Sequence, residues 1–83
     1  TIKVTFKVAF DYAIMGDVMS AAKKMNLEVV HQEFEVHPFL QIAIPISEVE
    51  QTLLSFKALV AKMPEEQVLT LETIPHLEIE EMD

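Results

Sequence analysis

His31, Glu33, Glu35 and His37 are the one stretch in which ligand-type side chains recur at a regular spacing, two residues apart. Residues i and i+2 of a strand share a face, so a His-Glu or Glu-His pair there is placed to hold one divalent cation. A closed metal site needs three or four donors that converge on a point, and a straight row spreads its donors along a line. A solvated strand face is therefore expected, with no metal and no cofactor. His76 has no acidic or hydroxyl partner arranged around it in sequence and reads as a surface histidine. Met15, Met19, Met25, Met63 and Met82 fall mostly on or near helical faces, where methionine fills gaps in a core. For Met15 and Met19, which lie beside the main apolar stripe, the alternative is a protein contact. No nucleophile-base set is legible, so the chain is expected not to be an enzyme.

The elements that carry these residues follow from periodicity. Leu27–Ile46 reads as two strands folded back on each other at His37-Pro38. In the first, Val30, Gln32, Phe34 and Val36 lean inward, against Val29, His31, Glu33, Glu35 and His37. In the second, Leu40, Ile42, Ile44 and Ile46 point one way and Phe39, Gln41 and Ala43 the other. Before them Thr1–Phe10 alternates cleanly, with Ile2, Val4, Phe6, Val8 and Phe10 inward. Asp11 sits where an N-cap is wanted, and Ile14, Val18, Ala21, Ala22 and Met25 recur at helical spacing, predicting a helix from Tyr12 or Ala13 to Met25, ended by Asn26. Gly16 marks either a close approach or a ragged helix start. Ser47-Glu48-Val49-Glu50 is a capping box, followed by the stripe Val49, Leu53, Phe56, Val60 and Met63, flanked by Leu54 and Leu59 and closed by Pro64. Gln67–Ile74 alternates as a last strand, stopped by Pro75, and the remaining residues form an acidic tail, frayed or partner-dependent, for which an extra edge strand carrying Leu77 and Ile79 is the alternative.

Strand, helix, strand, strand, helix, strand is the order of the split ferredoxin-like α+β sandwich, a four-stranded antiparallel sheet with two helices on one face. The expected domain is residues 1–74, and the tail is residues 75–83. The helix-free face would present Lys3, Thr5, Lys7, Phe39, Gln41, Ala43, Thr70, Glu72 and the row from His31 to His37. From these, Lys3, Thr5, Lys7, His31, Glu33, Glu35, Phe39 and Gln41 form the candidate interaction face.

Composition narrows what that face can meet. The 83 residues suffice for one domain, which at this size hides only about 60% of the surface its unfolded chain exposes. Fourteen carboxylates against six lysines, with no arginine, give a formal net charge of −8, which repels phosphate backbones and anionic membrane surfaces. Autonomous nucleic-acid binding and membrane binding are thus not expected. There is no cysteine, so disulfide frameworks and thiolate metal sites are excluded. No signal peptide or bilayer-length apolar run is legible, so a soluble, cytoplasmic protein is expected, one that opens on Thr1 as an excised or processed piece would.

The same fold hosts several activities, and missing residues prune them. An acylphosphatase needs an arginine for phosphate, and a metal chaperone of this fold needs a Cys pair. An RNA-recognition domain needs basic and aromatic side chains on its central strands, where only Phe39 is placed to stack. A small-molecule-sensing domain of the ACT type survives, weakened by Asp11-Tyr12 where such domains commonly carry a glycine.

Phe10-Asp11-Tyr12, the run from Asn26 to Pro45 ending in Gln41-Ile42-Ala43-Ile44-Pro45, and the helix from Ser47 to Val60 resemble the C-terminal domain of the IMPACT (YigZ-like) family. There a strand ending near a Tyr leads to a short helix, then a strand with a central aromatic, here Phe34. A strand closing in a Val-Ala-hydrophobic-Pro run follows, and then an acidic helix. The similarity spans most of Val4–Leu71. The family's glycine after the second helix is replaced by Met63-Pro64-Glu65-Glu66, and the acidic tail is an elaboration. In that family the domain follows a larger N-terminal domain similar to domain IV of elongation factor G, and is itself similar to ferredoxin-like domains of that factor. The resemblance implies a non-catalytic accessory domain linked to translation or its regulation. The expected partner is the parent's N-terminal domain or a homo-oligomer, with RNA or ribosome binding only through the full-length parent.

Overall fold

Strict alternation from Lys3 to Phe10 becomes strand β1 (Lys3–Phe10), which buries Phe6, Val8 and Phe10. The structure is a computed structural model that describes residues 2–82; Thr1 and Asp83, expected to open the first strand and to end the tail, lie outside the described residues. After β1 come α1 (Met15–Lys24), β2 (Glu28–Glu33), β3 (Phe39–Pro45), α2 (Val49–Ala61), the short α3 (Glu65–Val68) and β4 (Leu77–Met82). The sheet runs β2-β3-β1-β4, every pair antiparallel, which is the order of the ferredoxin-like sandwich.

The core lies between the two central strands and the helices. Register sets Phe6 opposite Ile42 and Val8 opposite Leu40, so the inward residues of β1 and β3 form one apolar floor. Val18, Ala21 and Ala22 of α1 and Phe56 and Val60 of α2 close over it. Phe56, Leu40, Ile42, Ile44, Val8 and Val18 are each under 2% exposed, and full burial of such a side chain contributes about 1.5–3 kcal/mol. Phe34 and Leu53 pack on this cluster half-buried, as do Met15 and Met19, which are core filler. Among the described residues no helix is long and apolar enough to cross a membrane.

Local chemistry explains the helix ends. Asp11, in extended conformation, accepts from the Ala13 N–H at 3.0 Å and caps a 3-10 turn, Tyr12–Ile14, that leads into α1. The helix closes in a Schellman arrangement: Leu27 N–H donates to the Ala22 carbonyl at 3.0 Å and Asn26 N–H to Lys23 at 3.1 Å, with Asn26 left-handed at φ 54°. Gly16 meets no atom within 4 Å of where a Cβ would stand, so it marks the uneven start of α1 and not a close approach.

Four expectations are corrected. The last strand is not Gln67–Ile74. That segment folds as α3 and a turn, leaving Leu69 72% and Leu71 39% exposed, whereas Leu77–Met82, inside the expected acidic tail 75–83, is strand β4. The domain therefore does not stop at residue 74. Leu77 and Ile79 alternate with glutamates and need only one dry face, because an edge strand has water on its other sides. Secondly, the hairpin does not turn at His37-Pro38. β2 ends at Glu33, residues 34–38 form the connection, Val36 is 81% exposed, and all six residues of β2 are exposed. A bulge between Val29 and His31 shifts the alternation, so Glu28 and His31 share the outer face and Val29 points inward opposite Ile42.

Thirdly, Ser47 is not part of a capping box. The chain enters a 3-10 turn, Ile46–Glu48, directly after Pro45, so Ser47 is already inside a helical turn and α2 begins without a side-chain cap. Finally, α2 stops at Ala61 and not at Met63, because Lys62 adopts φ 58° and the Lys62 and Met63 N–H groups both fall back on the Ala58 carbonyl. Pro64 then opens α3, which Glu65 docks onto α2 by accepting from Ser55 Oγ at 3.1 Å and Gln51 Nε2 at 3.3 Å.

Candidate functional site

Cross-strand register defines the helix-free face of the sheet row by row. One row is Glu28, Ala43, Thr5 and Met82; the next is His31, Gln41, Lys7 and Glu80; the third is Glu33, Phe39, Ala9 and Glu78. Lys3 lies beyond the first row, opposite Pro45. Of the eight residues expected on this face, Lys3, Thr5, Lys7, His31, Glu33, Phe39 and Gln41 are there. Glu35 is not: it lies with His37 in the connection after β2, where the Tyr12 hydroxyl donates to the Glu35 carbonyl. Thr70 and Glu72 also drop out, since their segment is not a strand. In their place β4 supplies Glu78, Glu80 and Met82.

Phe39 is the aromatic side chain around which the polar groups of the face gather. Lys7 Nζ stands 4.8 Å from its ring centroid, a cation–π geometry, and the His31 ring lies 5.8 Å away, tilted by 44°. Both neighbours are diagonal to Phe39 in the register, the distance at which long and aromatic side chains meet across strands. Lys3 pairs with Glu28 at the rim, and His31 Nε2 is 3.6 Å from Glu33 Oε1. Each pair is about half exposed, so neither is worth more than about 1 kcal/mol. The face thus carries two cations on its central strand β1 and glutamates on both outer strands.

The row from His31 to His37 is broken where β2 ends, and among the described residues no three His, Asp or Glu side chains group as metal ligands would.

A second feature lies at the end of β1. A concavity of about 610 Å³ opens between Asp11, Tyr12, His37, Pro38, Ile74 and His76. Its floor is tied together by the Asp11 N–H donating to the His76 carbonyl at 3.0 Å, and His76 Nδ1 is 3.7 Å from Asp11 Oδ2. No acidic partner for His76 is legible in the sequence because the two residues are far apart in the chain. Only the β1–β4 pairing brings them together.

Compared with models of known protein families the chain matches none, and comparison with curated proteins finds no match either.

Proposed function

We propose that the chain is a non-catalytic protein-interaction module whose contact surface is the helix-free face of its sheet, and that the partner is a second copy of the chain. The observation that carries this reading is the arrangement of that face: Phe39 in its last row, Lys3 and Lys7 along β1, and Glu28, Glu33, Glu78 and Glu80 on the outer strands. Two such faces stacked with their strands crossed and offset toward β4 bring Lys7 of each copy near Glu78 of the other, the self-complementarity that a two-fold interface needs. Four strands averaging about seven residues offer about 450 Å² per copy. Two copies then bury about 900 Å², under the range of stable complexes, so the association is weak and transient. The resemblance to the IMPACT (YigZ-like) C-terminal domain supports the same class of role, an accessory domain in translation or its regulation.

Sedimentation velocity from micromolar to millimolar concentration tests this on the intact chain and on Phe39→Ser and Lys7→Glu variants. A concentration-dependent shift that both variants abolish is the expected result. A monomer at every concentration, or a dimer indifferent to both substitutions, overturns it.

A second reading, small-molecule sensing of the ACT kind, has one observation in its favour: the strand-end concavity of about 610 Å³ lies in the size range of ligand sites. A thermal-shift screen of amino acids and nucleotides decides it. A dose-dependent rise that Tyr12→Ala removes supports sensing, and a flat response refutes it.

A further inference from the structure

We infer that the outer edge of β4 is a docking site for a short extended peptide in which apolar and basic residues alternate, added to the sheet as a fifth strand. This surface shares Glu78 and Glu80 with the sheet face proposed above and otherwise lies at the strand edge and on the helix side. Beyond a single bridge between Ile74 and Leu77, no described strand pairs with that edge, so its backbone N–H and C=O groups from Ile79 onward lack a strand partner. An edge of this kind is a template for another strand.

Beside it runs a groove of about 250 Å³, between β4 and the segment that connects α3 to it. Its apolar lining comes from Val68, Leu71, Ile74 and Ile79, and its rim carries Glu72, Glu78 and Glu80 against a single cation, Lys57. Alternation then specifies the guest. In a strand laid along β4, side chains on the helix side fall into the groove beside Ile79, and those on the other side meet Glu78 and Glu80. Apolar residues suit the first set and lysine or arginine the second.

Three observations exclude the competing arrangements. A second copy does not fit this edge. Antiparallel β4–β4 pairing sets Glu78 against Glu81, or Glu78 against Glu80, or Glu80 against itself, according to register. The opposite edge, β2, is interrupted by the bulge between Val29 and His31, a device that blunts strand addition. The preceding chain pairs with β4 only at the Ile74–Leu77 bridge, where the Leu77 N–H donates to the Ile74 carbonyl at 3.2 Å, and that pairing does not extend along the strand.

The test titrates the isotopically labelled chain with acetyl-Lys-Val-Lys-Val-Lys-amide and maps amide shifts. Two further peptides carry N-methyl groups on the valine nitrogens or on the lysine nitrogens. In a strand, alternate N–H groups point at the neighbour, so one methylated peptide should bind like the parent and the other about tenfold more weakly. Shifts should centre on Ile79–Met82, and the double variant Glu78→Gln with Glu80→Gln should weaken binding about fivefold at low salt. Equal binding by both methylated peptides shows loose electrostatic attraction only and overturns the inference. So do shifts centred on β2, or none at millimolar peptide. Phe39→Ser leaves this binding unchanged, which separates its failure from failure of the sheet-face reading.

Discussion

Leu77→Ala should destabilise the protein far more than Leu69→Ala, although in sequence residues 67–74 read as a strand and residues 75–83 as a tail. Leu77 is 8% exposed, pairs with Phe10 across β1–β4 and belongs to the core cluster. A buried Leu→Ala change costs about 2–5 kcal/mol, and more where the cavity cannot collapse. Leu77 lines both the strand-end concavity and the β4 groove, so relaxation there is easy and the lower half of the range, about 2–3 kcal/mol, applies. Leu69 is 72% exposed, and its truncation should cost no more than about 0.5 kcal/mol. Urea unfolding followed by circular dichroism reads both. With a slope of about 1 kcal/mol per molar, the midpoint should fall by about 2–3 M for Leu77→Ala and by about 0.5 M or less for Leu69→Ala. Equal shifts, or a larger one for Leu69→Ala, would refute the assignment of β4 and with it the edge proposed for peptide docking.

Substitutions at three other positions probe the helix ends. Asp11→Ala removes the cap on Ala13 N–H and should cost about 1 kcal/mol in thermal unfolding, whereas Asp11→Asn, which can still accept, should recover most of it. Gly16→Ala should stabilise by about 0.5–1 kcal/mol in denaturant midpoint, since α1 gains propensity and the new methyl meets nothing. Lys62→Gly relieves a left-handed residue at the end of α2 and should raise the melting temperature by a few degrees, about 1 kcal/mol less the chain entropy glycine adds. A lower melting temperature for Lys62→Gly would mean that the exposed Lys62–Asp17 pair, 3.3 Å long, outweighs backbone strain.

Periodicity alone determined the two central strands and both main helices. Phe6, Val8, Leu40 and Ile42 alternate, and Val18, Phe56 and Val60 recur at helical spacing, because a buried surface must repeat with the backbone that carries it. It also placed seven of the eight face residues, since Lys3, Thr5, Lys7, Phe39 and Gln41 follow from parity on β1 and β3, and His31 and Glu33 keep the expected side. Tertiary structure decided the edges. At β2 a bulge resets the alternation, and an edge strand exposed on all six residues imposes little apolar pattern to read. At the other edge Leu71 and Leu77 belong to segments of similar alternation, and only the pairing of Leu77 with Phe10 selects the second. The meeting of Asp11 with His76, and the groove beside β4, arise from that same choice. Local sequence encodes which face of an element is dry; which segment takes the last place in the sheet depends on contacts far apart in the chain.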